Sequence, residues 1–411
     1  LTAVKLLLVL HQNPDGYPAG IEQYILDLIN GLTLRGVDVY LFYPEKTSLK
    51  LRHYRKHVFD ETTYRGGFTD FRNFEDSEAE SAFSTVLKET KPDIVHFQSL
   101  RALPFSLVRL AKAHGNTTVI SLHEYFLWCI HFILLNPGFC GFERDAVACR
   151  ACLSSQGFNV DADFVVQRRR LINDLCRSVD AFISPSVYVR DKFAELYPDF
   201  DPARCSILEL GIRKEYFRPV PAPSRLVATG PLRVGFLGNF LYHKGSKVLM
   251  KLVESLKNSR DIEFVIFGNV YDPILTDYAN LRKYGNYSRT LIGQILQKEK
   301  IDVNLLLSIV PETFSYTLTE SVACGVPVIA HDIGALRERV AKYCAGFLVP
   351  HENSVPHVAR ILKDLHRHRE VLTFFRRNCT ESARAILSIE DMVDAHYTFY
   401  KSLKEEMVPA S

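Results

Sequence analysis

Two glutamates set the chemistry of this chain. Glu312 and Glu320 stand with seven residues between them, and those seven, Thr313 to Thr319, are rich in hydroxyls. A strand ending near Ser308 leads into the loop that carries Glu312. Beyond it the sequence reads as a helix over 317–324, a stop at Gly325, and a short buried strand through Val326-Pro-Val-Ile-Ala330. That layout suits a nucleotide sugar. A helix N-terminus presents unpaired N–H groups and the positive end of the dipole, where a diphosphate can sit. Glu320, about one turn inside the helix, can accept two hydrogen bonds from a ribose diol. Glu312, in the loop ahead, can reach sugar hydroxyls. Ordinary surface carboxylates would need neither the hydroxyl-rich loop between them nor the small-residue segment and Gly334 that follow.

Further candidates lie elsewhere. A strand over 4–10, a loop over 11–20 and an amphipathic helix opening at Gly20 make a phosphate-binding layout, with Gly20 either a close-approach glycine or a plain turn residue. His123 follows a strand over 117–122, at the edge where open α/β sheets hold ligands, with Glu124 next to it. Cys129, Cys140, Cys149 and Cys152 form a set whose last two members are a C-x2-C pair. Four thiolates fit a closed, structural zinc site; a disulfide and plain thiols are the competing readings. Two D-x-D strings, at 161–163 and 199–201, are set aside as metal sites, because one opens a helix and the other sits in a turn beside Pro198 and Pro202.

The elements that must position these residues alternate between strand and helix. The 411 residues suffice for two domains, and 47% hydrophobic with 24% charged residues is the balance of a soluble globular protein. A net charge of +3 implies no nucleic-acid field, and no apolar run is long enough to span a membrane. Nine cysteines without a secretion signal point to a reducing, cytoplasmic compartment. The chain opens on Leu1 rather than Met, which fits a processed chain or one cut from a longer polypeptide. Residues 1–212 read as a first α/β domain with a cysteine-bearing insertion at about 125–160, and 213–231, with four prolines and few apolar residues, as a linker. Residues 232–387 read as a second α/β domain and 388–411 as a last helix. Residues 46–72 mix basic and aromatic side chains with weak periodicity, as a solvated loop or an anionic-interface surface would, and Arg168-Arg169-Arg170 reads as a solvated helix face.

The stretch E-x7-E, small-residue helix, G-x-P-V and glycine turn resembles the signature of the retaining glycosyltransferases of family 4 (glycosyl transferases group 1), and the resemblance extends over nearly the whole chain. It implies the GT-B fold: two doubly wound, Rossmann-like α/β domains facing across a cleft, the donor mainly on the second and the acceptor on the first, with the last helix crossing back to the first. The loop 238–245 resembles the family's donor loop, in which Lys244 would neutralise the diphosphate. Asn239 stands where the family usually has arginine, and Ala19-Gly20 where it usually has two glycines. A histidine at the place of His123 faces the donor sugar in the family. The resemblance thus assigns catalysis to Glu312, His123 and Lys244, and donor binding to Gly20, Asn239, Lys244, Phe314, Ser315, Tyr316, Thr317 and Glu320.

The implied reaction moves a sugar from a nucleotide-diphosphate sugar to a glycan, lipid-linked or similar hydroxyl acceptor, with retention and without a catalytic metal, in surface polysaccharide or glycoconjugate synthesis. A lipid-linked acceptor would bring peripheral contact with the inner face of the membrane. A non-catalytic nucleotide-sugar-binding module and a nucleotide-sugar epimerase on the same fold are the alternatives. Asn239 and the lone Gly20 suggest the first, and the glutamate pair speaks against the second.

Overall fold

The computed structural model describes residues 4–16, 20–56, 58–135, 138–217, 230–270 and 277–406. The chain divides into two compact units, Leu1–Gly211 with Ile389–Ser411, and Ile212–Ser388. The greater part of the expected linker, residues 218–229, lies outside the described residues, as do residues 17–19 just before Gly20.

The first unit holds one sheet of eight strands: β1 (Lys5–Val9), β2 (Asp38–Pro44), β3 (Leu49–Arg55), β4 (Val58–Tyr64), β5 (Ile94–Phe97), β6 (Thr117–Ser121), β7 (Ala181–Ser184) and β8 (Cys205–Ile207). Their order is β4-β3-β2-β1-β5-β6-β7-β8, antiparallel only at the β2–β3 and β3–β4 pairs. β5, β6 and β7 are buried at every position, as parallel strands covered on both faces must be. The segment 46–72 departs from the loop expectation, because it contains the β3–β4 hairpin. Much of its basic-aromatic content is spent within the sheet. Arg52 is buried, pairs with Asp15 at 2.6 Å and Glu61 at 2.8 Å, and lies over the rings of Tyr43 and Phe59. The outer strand β4 stays exposed and carries Asp60 and Glu61, charges that keep a free edge from pairing with another chain.

The last helix, Ile389–Glu406, belongs to the first unit and packs on the helix Gly20–Leu34. Tyr24 Oη is 2.7 Å from His396 Nε2, Arg35 pairs with Asp394 at 2.6 Å, and Lys404 reaches Asp93 at 2.7 Å. Gly31 permits the crossing, since a Cβ there would overlap the side chain of Val393. A second departure from expectation is Arg168, which is buried rather than solvated. It donates to the carbonyls of Leu127 and Phe126 and lies over the rings of Phe105 and Phe126. Those two carbonyls supply the hydrogen bonds that make burial of a guanidinium tolerable.

The second unit is an all-parallel sheet of β9 (Leu232–Leu237), β10 (Ile262–Phe267), β11 (Leu281–Gly285), β12 (Val303–Leu306), β13 (Val328–His331) and β14 (Gly346–Val349), in the order β11-β10-β9-β12-β13-β14. The chain runs outward from β9 to β11 and then returns to the other side of β9 as β12. The reversal between β9 and β12 is a topological switch point, and ligands bind outside the carboxyl ends of strands at such a point.

Candidate active site

Both loops that leave the switch point carry expected site residues. After β9 the chain runs through Gly238 and Asn239 to the turn Tyr242–Lys244 and the helix Ser246–Ser255. After β12 it runs through Ser308 and Glu312 to the helix Tyr316–Ala323. Ile309 N donates to the carbonyl of His243 at 3.0 Å and Ser308 Oγ to the same oxygen at 3.2 Å, which binds one loop to the other. Gly245 sits at φ 91°, pressed onto the carbonyl of Leu307, where any side chain would overlap backbone.

This stitching brings Lys244 to Glu312, with Nζ 3.0 Å from Oε1. Their side chains differ in exposure: 40% for Lys244 and 13% for Glu312. Burial alone would raise the Glu312 carboxyl. The charge of Lys244, with hydrogen bonds from Lys244, Ser308 and Ser315, outweighs it and holds the group below the ordinary glutamate value. The backbone of Glu312 is fixed from the other side, since Ala335 N donates to its carbonyl at 2.9 Å. Gly334 makes that approach possible at φ 60°, with a Cβ there only 2.7 Å from Glu312 N and Pro311 Cα.

The helix starts at Tyr316, one residue before the expected Thr317, and its N-cap is unusual. Ser315 lies in the left-handed region at φ 78° and its side chain makes no capping bond. Arg339 accounts for this geometry. It is 1% exposed, lies 3.6 Å from the centre of the Phe314 ring, and donates to the carbonyls of Phe314 at 2.9 Å and Ser315 at 3.0 Å and to Thr319 Oγ1 at 2.9 Å. No carboxylate among the described residues pairs with it. Arg339 thus turns two carbonyls inward and places a buried positive charge behind the helix start. Gly238 borders the same turn, a Cβ there lying 3.6 Å from Thr317 Cγ2, and Asn239 Oδ1 accepts from Asn269 N at 3.4 Å.

One turn along, Glu320 is 3% exposed and pairs with Arg289 Nε, while the guanidinium lies 4.4 Å from the centre of the Tyr316 ring. Burial pushes the Glu320 carboxyl up and Arg289 opposes it. The second unit thereby gathers Asn239, Lys244, Glu312, Phe314, Ser315, Tyr316, Thr317 and Glu320 around one helix start. Sequence reasoning missed Arg289 and Arg339. An isolated arginine in a loop or on a helix carries no spacing signal.

The first unit holds a separate polar cluster. Gly20 is the exposed first residue of its helix. His123 lies just beyond β6, is 8% exposed, is hydrogen-bonded through Nε2 to Gln98 Oε1 at 2.8 Å and meets the Tyr24 ring edge-on at 4.9 Å. Burial, helped by His396, pushes it down to about 3. His123 is therefore a neutral imidazole at ordinary pH, able to hydrogen-bond but not to supply positive charge. Beside it His11, just beyond β1, contacts Arg101, and Glu22 accepts from Gln12 Nε2 at 2.7 Å. Glu124 accepts from Ser99 Oγ at 3.2 Å, and its carboxyl is pushed up by burial against the opposing charge of Arg101. His11, Gln98, Arg101 and Glu22 were not singled out from sequence, although His11 follows a strand just as His123 does.

The structure brings the four cysteines of the expected set together. Cys129, Cys140, Cys149 and Cys152 line one cavity of about 60 Å³ together with Trp128, Arg168 and Arg169. Yet among the described residues no three His, Cys, Asp or Glu side chains are arranged to hold a metal ion, and all nine cysteines are free thiols. Cys149 Sγ donates to the carbonyl of Glu143 at 3.5 Å and accepts from Arg169 at 3.1 Å, and Gln156 donates to Cys152 Sγ at 3.5 Å. Burial raises the thiols of Cys129, to about 11, of Cys140 and of Cys149. The D-x-D strings are likewise structural: Asp161 caps the helix Ala162–Ser178, and Asp199 pairs with Arg177.

Comparison with known proteins places the chain's two regions in known families and its fold among solved structures. Residues 18–216 match the model of "Glycosyltransferase Family 4" and residues 223–385 that of "Glycosyl transferases group 1". WcaC of Escherichia coli (strain K12), a glycosyl transferase assigned to colanic acid biosynthesis, is 22% identical over 333 residues, covering 78% of this chain and 79% of its own. The fold is that of sucrose-phosphate synthase from Thermosynechococcus elongatus, at TM-score 0.69 and 15% identity over 98% of this chain and all of that one. It is also that of HepE from Anabaena, solved with UDP, at TM-score 0.63 and 14% identity over 97% of this chain and all of that one.

Proposed function

The chain belongs to the group 1 glycosyltransferases with a family 4 first region, on the GT-B fold, and on that footing we propose that it transfers a sugar from a nucleoside-diphosphate sugar to a hydroxyl acceptor with retention of configuration. The acceptor is a glycan or lipid-linked saccharide in surface polysaccharide or glycoconjugate synthesis, as the likeness to WcaC suggests. Among the described residues no helix is long and apolar enough to cross a membrane, so a lipid-linked acceptor would be met by peripheral contact.

The observation that carries the reading is the Lys244–Glu312 pair beside an uncapped helix start. The diphosphate sits on the N–H groups of 315–317, with Lys244 turned from Glu312 to its oxygens as the bond to the sugar breaks. Glu320 receives the ribose diol, and Phe314 and Tyr316 line the turn next to Asn239. Glu312, kept ionised, accepts from sugar hydroxyls and stabilises positive charge on the departing glycosyl group. No residue is assigned as a covalent nucleophile, so retention follows from attack on the face the diphosphate leaves. Lys244 supplies the cation, and the reading requires no metal.

The test is a thermal-shift panel of UDP, GDP, dTDP and CMP, followed by a transfer assay with the responder's sugar donors. A nucleotide at 100 times its dissociation constant should stabilise by about 2.7 kcal/mol. Glu312→Gln should lower turnover far more than nucleotide binding. Unchanged turnover would remove Glu312 from its role, and no responder at all would count against the whole reading.

A further inference from the structure

The helix start is flanked by two ion pairs of the same build. In each, the carboxylate is sunk and the cation rises beside it: Lys244 is 40% exposed over Glu312 at 13%, and Arg289 is 38% exposed over Glu320 at 4%. Arg289 comes from the short turn Arg289–Leu291 that follows β11. It spans the first turn of the helix, with its guanidinium over the Tyr316 ring and its Nε on Glu320 four residues further on. Among the described residues its terminal amino groups make no hydrogen bond, so two donor groups remain for a ligand beside the N–H groups of the helix. A diphosphate carries more than one negative charge. Lys244 is a single point charge, and Arg339, behind the turn, has committed its amino groups to Phe314, Ser315 and Thr319.

We propose that Arg289 is the second cation of the diphosphate site, poised by Glu320 with its free amino groups turned to the phosphate oxygens. The inference rests on the donor-site reading above. It makes Arg289 a determinant of the nucleoside diphosphate as against the nucleoside. Glu320 then serves twice, with one carboxylate oxygen orienting Arg289 and the other left for the ribose. A planar fork held at one nitrogen offers the remaining two in a fixed direction, which a lysine could not do.

The experiment compares UDP with uridine by calorimetry, or GDP with guanosine where UDP does not bind the unaltered chain. Arg289→Met should weaken the nucleoside diphosphate by about tenfold or more, the weight of a charge-assisted hydrogen bond, and leave the nucleoside within about twofold. Equal loss for both ligands would mean that Arg289 only shapes the ribose site, and no loss for the diphosphate would mean that it faces elsewhere; either overturns the proposal. Arg289→Met strands a buried carboxylate, so the comparison is repeated as Arg289→Met/Glu320→Gln against Glu320→Gln, where the same selective loss is expected. Asn239→Arg, which adds a cation on the loop bordering the same turn, should restore diphosphate affinity to Arg289→Met. Failure of the unaltered chain to bind any nucleotide would sink the donor-site reading itself. Normal binding with an indifferent Arg289→Met sinks this inference alone.

Discussion

Acid should unfold the first unit before the second. His11, His96, His123 and His396 are all buried in the first unit. Burial is the leading cause that pushes His11 and His123 down to about 3 and His396 to about 4, and it lowers His96 as well. In the unfolded chain each returns to its ordinary value near 6.5. The folded values are the lower ones, so the unfolded state binds the extra protons. The stability these groups contribute is whole above about 6.5 and is lost as the pH falls toward the folded values. At about pH 5.5 each of His11, His123 and His396 costs about 1.4 kcal/mol, together about 4 kcal/mol, with His96 acting in the same direction, a large part of the roughly 5–15 kcal/mol that holds a domain folded. The second unit has two such groups, His243 and His331, each lowered to about 4, and so loses less at that pH. The chain's one tryptophan, Trp128, lies in the first unit against the Tyr197 ring and reports on that unit alone. Its emission should shift to the red between about pH 6 and 5, ahead of most of the loss of far-ultraviolet dichroism. A Trp128 signal intact down to about pH 4, or one that moves together with the whole dichroism, would refute the argument.

Three further outcomes are expected around the donor site. Lys244→Met should cost about 1–3 kcal/mol of stability, because it strands a buried carboxylate, and Lys244→Met/Glu312→Gln should recover that stability without recovering turnover; recovery of turnover in the double variant would make the pair structural. Gly334→Ala should destabilise by at least about 1–3 kcal/mol, since it adds a left-handed alanine and a clash with the Glu312 backbone, and should lower turnover more than nucleotide affinity; melting and steady-state kinetics check both. Glu320→Ala should weaken nucleotide binding in titration, and an unaltered affinity would remove it from the ribose site.

The parallel cores were legible because buried strands leave apolar runs that periodicity detects, as at 4–10 and 232–237. Glu312 and Glu320 stand out in the sequence because one short loop and one helix turn fix their spacing, whereas Lys244, 68 residues from Glu312, was named only by the resemblance of its loop. The β3–β4 hairpin was not. Its strands alternate charged and aromatic residues that pair with each other, and a pairing across strands does not show in a single run of sequence. Helix Ser77–Thr90, capped by Asp76, also went unread, although Ala79, Ala82, Phe83, Val86, Leu87 and Thr90 recur at helical spacing along its buried face. The cysteine spacing was legible as a cluster, since all four line one cavity, whereas the hydrogen bonds of Cys149 with Arg169 and Glu143 and of Cys152 with Gln156 join residues that spacing does not relate.

The charges at the donor site explain why so many were buried there. Lys244 is matched by Glu312 and Arg289 by Glu320, while Arg339 has no carboxylate partner among the described residues. Holding an unmatched guanidinium at 1% exposure is unfavourable unless its donors are filled; here carbonyls and a hydroxyl take its two amino groups, while Nε has no partner among the described residues. Those acceptors meet part of its hydrogen-bonding demand but not its charge. The site's own residues therefore leave one positive charge in surplus, directed through a helix start whose N–H groups have no side-chain cap. On the proposed reading an arriving diphosphate would more than offset that surplus, and the attraction would strengthen as negative charge collects on the leaving group during transfer. An environment fixed in advance to favour the later, more charged state lowers the barrier without reorganising. If the proposed donor site is right, Arg339 would favour the reaction from behind the helix, through the field at its first turn, while Glu312 and Lys244 would act at the bond itself.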